Sequence, residues 1–387
     1  MSHVNKSQPR PFAHLVRSEL TALHAYAAPY GYTPSSIRLD ANESAWDVPE
    51  PIKRDVAEQL ATDAWHRYPD SRATALREAI ADTLDAGGAD SSARADRLVL
   101  GAGSDELIAM LATALAKPRP KAAYATVLYP DPTFAMYGIT STAHGLLTTT
   151  VPLTENWDLS VLATMEAIAE WKPNVAYFAS PNNPTGNAWK HEALRSIAAA
   201  AKDTLVVIDE AYVAYAESSV LGWASRMPNV AVLGTLSKIG LAGLRVGWAY
   251  VPIELAAELE KVRQPYNVNR LSQIAATRVL RHHREWLDAS VKRTKDERAW
   301  LQRELRAIPW LHVYPTDANF FLVRVNLDAV DEHDDPAHRV ADALLKSDIH
   351  VKRFASAHAR LRSHLRISVG TRQEHEQLLD ALRAFQG

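Results

Sequence analysis

Between Leu98 and Val251 the chain alternates short, β-branched apolar runs with longer segments of helical periodicity. No other feature restricts the fold as much. The runs are Leu98–Leu100, Ala123–Leu128, Thr148–Val151, Val175–Phe178, Leu205–Ile208, Val230–Leu233 and Val246–Tyr250; the helical segments among them include Asp105–Ala116, His191–Lys202 and Ile253–Val262. Strands joined by helices specify an α/β domain, because a parallel neighbour can be reached only by a crossover and the helix supplies it. In such sheets ligands bind beyond the carboxyl ends of the strands. The residues just after each run are therefore the first candidates for chemistry.

The pattern changes further on. A charged helical stretch, Arg281–Arg306, is expected to link the large domain to a smaller α+β domain made from Leu311–Tyr314, Asn319–Val325, a helix near Ala337–Lys346, His350–Arg353 and Leu365–Val369. We expect residues 1–65 to form an N-terminal arm and part of the small domain, 66–300 the large domain and 301–387 the rest of the small one. The polar start, Met1–Arg10, reads as a disordered lead without the apolar core of a signal peptide. The 387 residues include no cysteine, which excludes disulfides, thiol catalysis and cysteine-held metals and fits a cytoplasmic enzyme. A net charge of −2 argues against nucleic acid or an anionic membrane as the main partner.

Several segments carry candidate chemistry. Lys238 lies in Thr235-Leu236-Ser237-Lys238-Ile239-Gly240, with Arg245 seven residues on. An amine near another cation in a partly desolvated pocket becomes nucleophilic, and the hydroxyls and arginine can hold a phosphate. An ordinary strand-end loop explains this segment alone equally well. Gly101-Ala102-Gly103-Ser104-Asp105-Glu106 opens a helix, where free N–H groups attract phosphate. Glu106 replaces the third glycine of a dinucleotide fingerprint, and a plain helix cap at Ser104 or Asp105 is the alternative. Ser180–Gly186 is a rigid loop able to present Asn183. Asp209 ends an apolar run, where a carboxylate needs a partner such as a cationic ring nitrogen, and Tyr212 lies three residues on. Asp40–Glu43, His66–Asp70 and Pro130–Phe134 are not diagnostic singly. Arg353 and Arg366 sit in expected strands, where arginine seeks an oxyanion or an acid. Asp331–Asp335 reads as a solvated turn, with Asp335 capping a helix that Pro336 opens. His282 and His283, adjacent on a helix, point about 100° apart, poor geometry for a metal. No metal is expected.

Taken together and in order, Leu39–Glu43, Arg67–Asp70, Gly103–Glu106, Pro132–Phe134, Ser180–Gly186, Asp209–Tyr212, Thr235–Lys238, Leu241–Gly247 and Leu365–Thr371 resemble the fold-type I aminotransferases that use pyridoxal 5′-phosphate. Within them the chain is similar to the histidinol-phosphate aminotransferases over roughly Leu39–Thr371. The resemblance implies that Lys238 carries the cofactor as a Schiff base and moves the proton between Cα and C4′. It implies that Asp209 pairs with the ring nitrogen, that Asn183 and Tyr212 bond the ring oxygen and that Phe134 stacks on the ring. Backbone N–H groups of Ser104 and Asp105, with Thr235, Ser237 and Arg245, would hold the phosphate. Tyr68 would reach the cofactor of a second subunit, which implies a homodimer. Arg366 would bind the carboxylate or phosphate of small-molecule donors and acceptors, helped by Arg353 and Asn42. The chain departs from the family pattern in Ser44-Ala45 where Asn-Pro is usual, in Ala102 where asparagine is common, and in a Lys238–Arg245 step one residue shorter than in many members.

Overall fold

The structure is a computed structural model that describes residues 13–21, 23, 31–85, 91–328, 335–354 and 358–385. Among the described residues twelve strands form two sheets: β1 (Ile37–Leu39), β2 (Leu98–Gly101), β3 (Thr126–Asp131), β4 (Leu147–Pro152), β5 (Val175–Ala179), β6 (Leu205–Asp209), β7 (Val230–Thr235), β8 (Gly247–Tyr250), β9 (Leu311–Val313), β10 (Phe320–Val325), β11 (Ile349–Arg353) and β12 (His364–Ser368). The larger sheet runs β2-β8-β7-β6-β5-β3-β4, parallel except for β8, which is antiparallel to both neighbours. Every residue of β5 is buried, and so are Val206–Asp209 of β6. Helices cover both faces, which is why these strands read as continuous apolar runs.

The smaller sheet, β1-β11-β12-β10-β9, joins an N-terminal strand to four C-terminal ones. Its core is separate: Leu301, Leu305, Phe321, Val323, Val340, Leu344, Ile367 and Leu378 among others. Among the described residues of the first 65, β1 alone adds a strand to it. Helix Glu50–Ala61 lies against helix Arg270–His282 of the large sheet's layer, with Asp55 bonded to Arg278 at 2.7 and 2.8 Å.

The charged helical stretch also differs from its sequence reading. Helix Arg270–His282 stops at His283, whose ring turns to Asp55 at 2.6 Å, and a second helix runs Arg284–Arg306. Leu287 near its start belongs to the large-sheet core and Leu301 and Leu305 to the small-sheet core, so this helix couples the two. Asp335 caps helix Pro336–Lys346 by accepting the Ala337 N–H, and Pro336 opens it. Residues 331–334 of that turn and the Met1–Arg10 lead lie outside the described residues. Among the described residues no helix is long and apolar enough to cross a membrane.

Candidate active site

The carboxyl ends of β5, β6 and β7 converge with the start of helix Ser104–Ala114. There Ser104, Asp105, Phe134, Asn183, Asp209, Tyr212, Thr235, Ser237, Lys238 and Arg245 line one pocket. Topology explains the gathering: parallel strands end on the same edge, so residues scattered over more than a hundred positions meet there.

Asp209 forms the floor. It is 4% exposed, accepts the Tyr137 hydroxyl at 2.7 Å and the Ala211 N–H at 3.0 Å, and has no salt bridge among the described residues. Burial pushes its carboxyl above the usual range, against the pull of those two donors. A protonated ring nitrogen would supply the positive partner this carboxylate needs. Lys238 Nζ lies 5.6 Å from the centre of the Tyr212 ring, and its carbonyl accepts the Tyr215 hydroxyl at 2.6 Å. The lysine's backbone is thereby held while its amine faces the pocket.

The opposite requirement, for an anion, is met by the segment 102–105 and its neighbours. Gly103 caps helix Ser104–Ala114 without any side-chain cap bond, so the first N–H groups of that helix remain available. The simple cap at Ser104 or Asp105 is therefore not what forms. Glu106, where a dinucleotide loop would carry glycine, accepts the Ala102 N–H and the Asn267 amide. A Cβ on Gly103 would come within 2.5 Å of the Arg245 guanidinium, and one on Gly247 within 2.6 Å of Ser104 N. The backbone is thus packed as closely as glycine permits around the helix start, whose free N–H groups suit an anion. Thr235 Oγ donates to Ser237 Oγ at 2.9 Å and orders the hydroxyl pair. The short Lys238–Arg245 step takes a π turn over Ser237–Leu241, with Gly240 at φ +105°, then a 3₁₀ turn and Arg245 at φ +52°. Arg245 arrives 3.7 Å from Asp105 and donates to Ala102 O. The donor set fits a phosphorylated pyridine: an acid for the ring nitrogen, an amine for its carbonyl carbon, and N–H, hydroxyl and guanidinium groups for the phosphate.

A wider cavity of about 580 Å³ opens beside it and shares Phe134, Asn183, Tyr212 and Lys238. Arg366 enters from the small sheet. Its guanidinium donates to Asn183 Oδ1 at 2.7 Å and to the Asp40 carbonyl. Asn42, 1% exposed and in the left-handed region at φ +54°, donates its amide to the Tyr212 hydroxyl at 3.0 Å. It orients Tyr212 through that bond, and it lines the cavity.

Two candidates stand elsewhere. Arg353 is held by His338 at 2.8 Å and Asp342 at 3.3 Å on helix Pro336–Lys346 and does not line the cavity. The reason is strand alternation: Arg353 pairs with Leu365, whereas Lys352 pairs with Arg366 and shares its face. Lys352 is the cation that enters, and burial, with Arg366 nearby, lowers its pKa. Tyr68 is 77% exposed and stacked on Tyr266 at 4.5 Å, away from this chain's own pocket.

Sequence reasoning passed over Tyr137, Lys352, Asp131 and His358, all of which touch one of these cavities. Tyr137 had a local signal, since a tyrosine just inside an apolar helix needs a hydroxyl partner. Lys352 had one as well, in the two-residue period of its strand. Asp131 and His358 are brought together by the fold alone.

Comparison with known proteins agrees with this geometry. The family model for aminotransferase class I and II matches residues 34–382. Histidinol-phosphate aminotransferase 1 of Burkholderia lata is 37% identical over 369 residues, 95% of this chain and 97% of that protein. The histidinol-phosphate aminotransferase of Chromobacterium violaceum is 38% identical over 96% of this chain and 98% of that one. Among solved structures, the histidinol-phosphate aminotransferase of Sinorhizobium meliloti in complex with pyridoxal-5′-phosphate superposes with a TM-score of 0.80 at 22% identity, covering 98% of this chain and 100% of that one. With a matching family model over nearly its whole length, and a pocket of the corresponding chemistry, the chain belongs to the class I and II aminotransferase family.

Proposed function

We propose that this chain is a pyridoxal-phosphate aminotransferase that interconverts L-histidinol phosphate and 2-oxoglutarate with imidazole acetol phosphate and L-glutamate. The observation that carries the cofactor reading is the lining of one pocket by both Lys238 and the buried Asp209, beside the glycine-backed anion site. The substrate reading is carried by relatives of that name at 36–38% identity over nearly the full chain.

When bound, pyridoxal phosphate supplies a carbonyl carbon that takes up the donor's amino group and a ring that accepts the electrons left at Cα. The chain's own residues do the rest. Asp209 keeps the proton on the ring nitrogen, so that the ring can accept those electrons. Lys238 Nζ would remove the proton from the donor's Cα and return it to the cofactor's former carbonyl carbon, across the transferred nitrogen. Tyr212, oriented by Asn42, and Asn183 hydrogen-bond the ring oxygen. The backbone N–H groups of Ser104 and Asp105, with Thr235, Ser237 and Arg245, hold the phosphate by charge-assisted bonds, and Phe134 packs on the ring. Arg366, with Lys352 on the same face, binds the donor's phosphate or the carboxylate of glutamate.

The reading includes a cytoplasmic homodimer in which Tyr68 meets the cofactor of the second subunit. The exposure of Tyr68 on the protein surface supports it. It also takes residues 66–300 as the cofactor-binding domain, 1–65 as an N-terminal arm that supplies part of the small domain, and 301–387 as the C-terminal small domain that closes over substrate.

The test is a half-reaction panel on purified holoenzyme. Histidinol phosphate and glutamate should each convert the cofactor's visible absorbance, and Lys238→Ala should abolish both conversions. Rapid reaction with phenylalanine and none with histidinol phosphate would replace the substrate by an aromatic amino acid. Release of carbon dioxide from phosphothreonine would indicate a decarboxylase. Protein that binds the cofactor but turns over no donor would be a non-catalytic regulator. A monomer in sedimentation, active at all dilutions, would overturn the dimer.

A further inference from the structure

The cavity beside Lys238 is lined from two sides. The small sheet contributes the cations Lys352 and Arg366. The large sheet contributes Tyr129 and Asp131 at the end of β3 and Ile139 of helix Met136–Ala143. On that side a flat aromatic and an aliphatic wall accompany a carboxylate.

Asp131 already holds an imidazole. His358 Nε2 lies 2.7 Å from Asp131 Oδ2, and His358 Nδ1 accepts the Arg360 backbone N–H at 3.2 Å. The second bond assigns the tautomer: Nδ1 is the acceptor, so the ring proton is on Nε2 and is donated to Asp131. His358 caps its own turn through Nδ1, which leaves Nε2 for Asp131. Arg360 fastens the turn to the large sheet's layer, donating to the carbonyls of Leu153 and Thr154 at 2.7 Å each and lying 4.4 Å over the Trp157 ring, while Leu361 is buried in the large-sheet core. The other acid of the cavity, Asp40, serves the cationic side: its carboxylate accepts the Tyr32 hydroxyl at 2.8 Å and its carbonyl accepts Arg366.

A carboxylate offers about four acceptor positions, so one that orders a protein imidazole can accept a second ring N–H. We infer that Asp131, positioned by His358, selects an imidazole-bearing amino donor by accepting its ring N–H. The inference rests on the substrate reading above. It explains discrimination physically: a phenyl donor of similar size would cover the carboxylate and leave unbonded the acceptor positions that His358 does not fill, and leaving a polar group's positions unfilled rejects the wrong ligand far more strongly than a missing methylene does.

The experiment compares half-reactions of histidinol phosphate, glutamate and phenylalanine with holoenzyme carrying Asp131→Leu, the isosteric Asp131→Asn, His358→Ala or His358→Gln. Asp131→Leu should lower kcat/KM for histidinol phosphate by about tenfold or more. Glutamate should stay within about twofold, and the preference against phenylalanine should shrink. Asp131→Asn, which keeps shape and loses charge, should show a smaller loss on the same donor and serves if the leucine variant does not fold. His358→Ala should weaken the imidazole donor selectively, with partial rescue in His358→Gln. Equal losses on histidinol phosphate and glutamate, or none on either, would reduce the pair to a structural clasp and overturn the inference. A wild type that ignores histidinol phosphate refutes the substrate reading itself, and this inference with it.

Discussion

Lys352 and Arg366 stand directly opposite each other in the antiparallel pair β11–β12, and the adjacent Arg353 is opposite Leu365. One residue of register thus decides which of two neighbouring cations faces the cavity. Lys352→Met should raise KM for a phosphorylated donor by the loss of a charge-assisted contact, about 1.5–3 kcal/mol. The unphosphorylated analogue should be affected less. Arg353→Ala removes only an exposed pair with Asp342 and His338, so its stability cost should be about 0–1 kcal/mol with kinetics unchanged. Steady-state kinetics on both donors check this, and the reverse ranking would refute the assignment.

Asp209 should matter far more than the tyrosine that supports it. Asp209→Ala should lower turnover on the order of 10²–10³-fold, the usual effect of removing a preorganised electrostatic group from a water-poor site. Tyr137→Phe deletes one hydrogen bond to that carboxylate and should cost about 0.5–1.5 kcal/mol in cofactor affinity. Absorbance titration with the cofactor, followed by single turnovers, separates the two effects.

Gly247 is a sharper test of the anion site. A methyl group there would meet Gly103 C at 2.5 Å and Ser104 N at 2.6 Å, both backbone atoms that cannot rotate away. Gly247→Ala should therefore cost about 1–3 kcal/mol of stability and displace the N–H groups from the phosphate. Gly243→Ala, where an added Cβ has open space, is the control and should stay within about 0.5 kcal/mol. Denaturant titration and cofactor affinity should rank the two in that order.

Two histidines tie stability to pH. Burial lowers His364 and His375 to about 4, and His375 Nε2 accepts the Gly370 N–H at 2.7 Å, a bond only the unprotonated nitrogen can make. The unfolded chain binds protons at these sites near pH 6.5. Between pH 6.5 and 4 the unfolded state therefore holds more protons, and the contribution is complete above 6.5 and lost on acidification through that window. Glu210, raised by burial to about 7, works in the opposite direction: its contribution is present in acid and lost as pH rises from 4.5 to 7. The informative quantity is thus a difference between proteins. His364→Phe should be less sensitive than the wild type to a change from pH 7 to 5, by on the order of 1 kcal/mol. Equal pH slopes in denaturant unfolding would count against a neutral buried His364.

Local pattern was enough for much of this molecule. The apolar runs of β5, β6 and β7 are buried on both faces, so hydrophobicity alone marks them, and Ile253–Val262 is a helix over just the residues its periodicity indicates. Candidates placed after those strands, Lys238, Asp209 and Asn183, meet because parallel strands end on one edge. The pattern was weaker where a side chain's direction mattered. Arg353 was the cation named from the sequence beside Arg366, and the pleat puts Lys352 on the cavity face instead. The break at His283 inside the charged stretch was hidden: the ring's partner there, Asp55, lies more than two hundred residues away.

Periodicity and residue type, then, were sufficient for the α/β class and for the strand ends that carry the candidates, since each depends on interactions among near neighbours; that those candidates form one set was expected only from the family resemblance. Only the tertiary structure decided that Tyr137 supports Asp209, that Asn42 orients Tyr212, that Lys352 rather than Arg353 enters the cavity, and that Asp131 meets His358. Each of the three hydrogen bonds joins residues far apart in the chain or in different sheets, and the choice of cation turns on the register of two strands. Strand register and the packing of one sheet against another set such contacts, and neither is written in any single stretch of sequence.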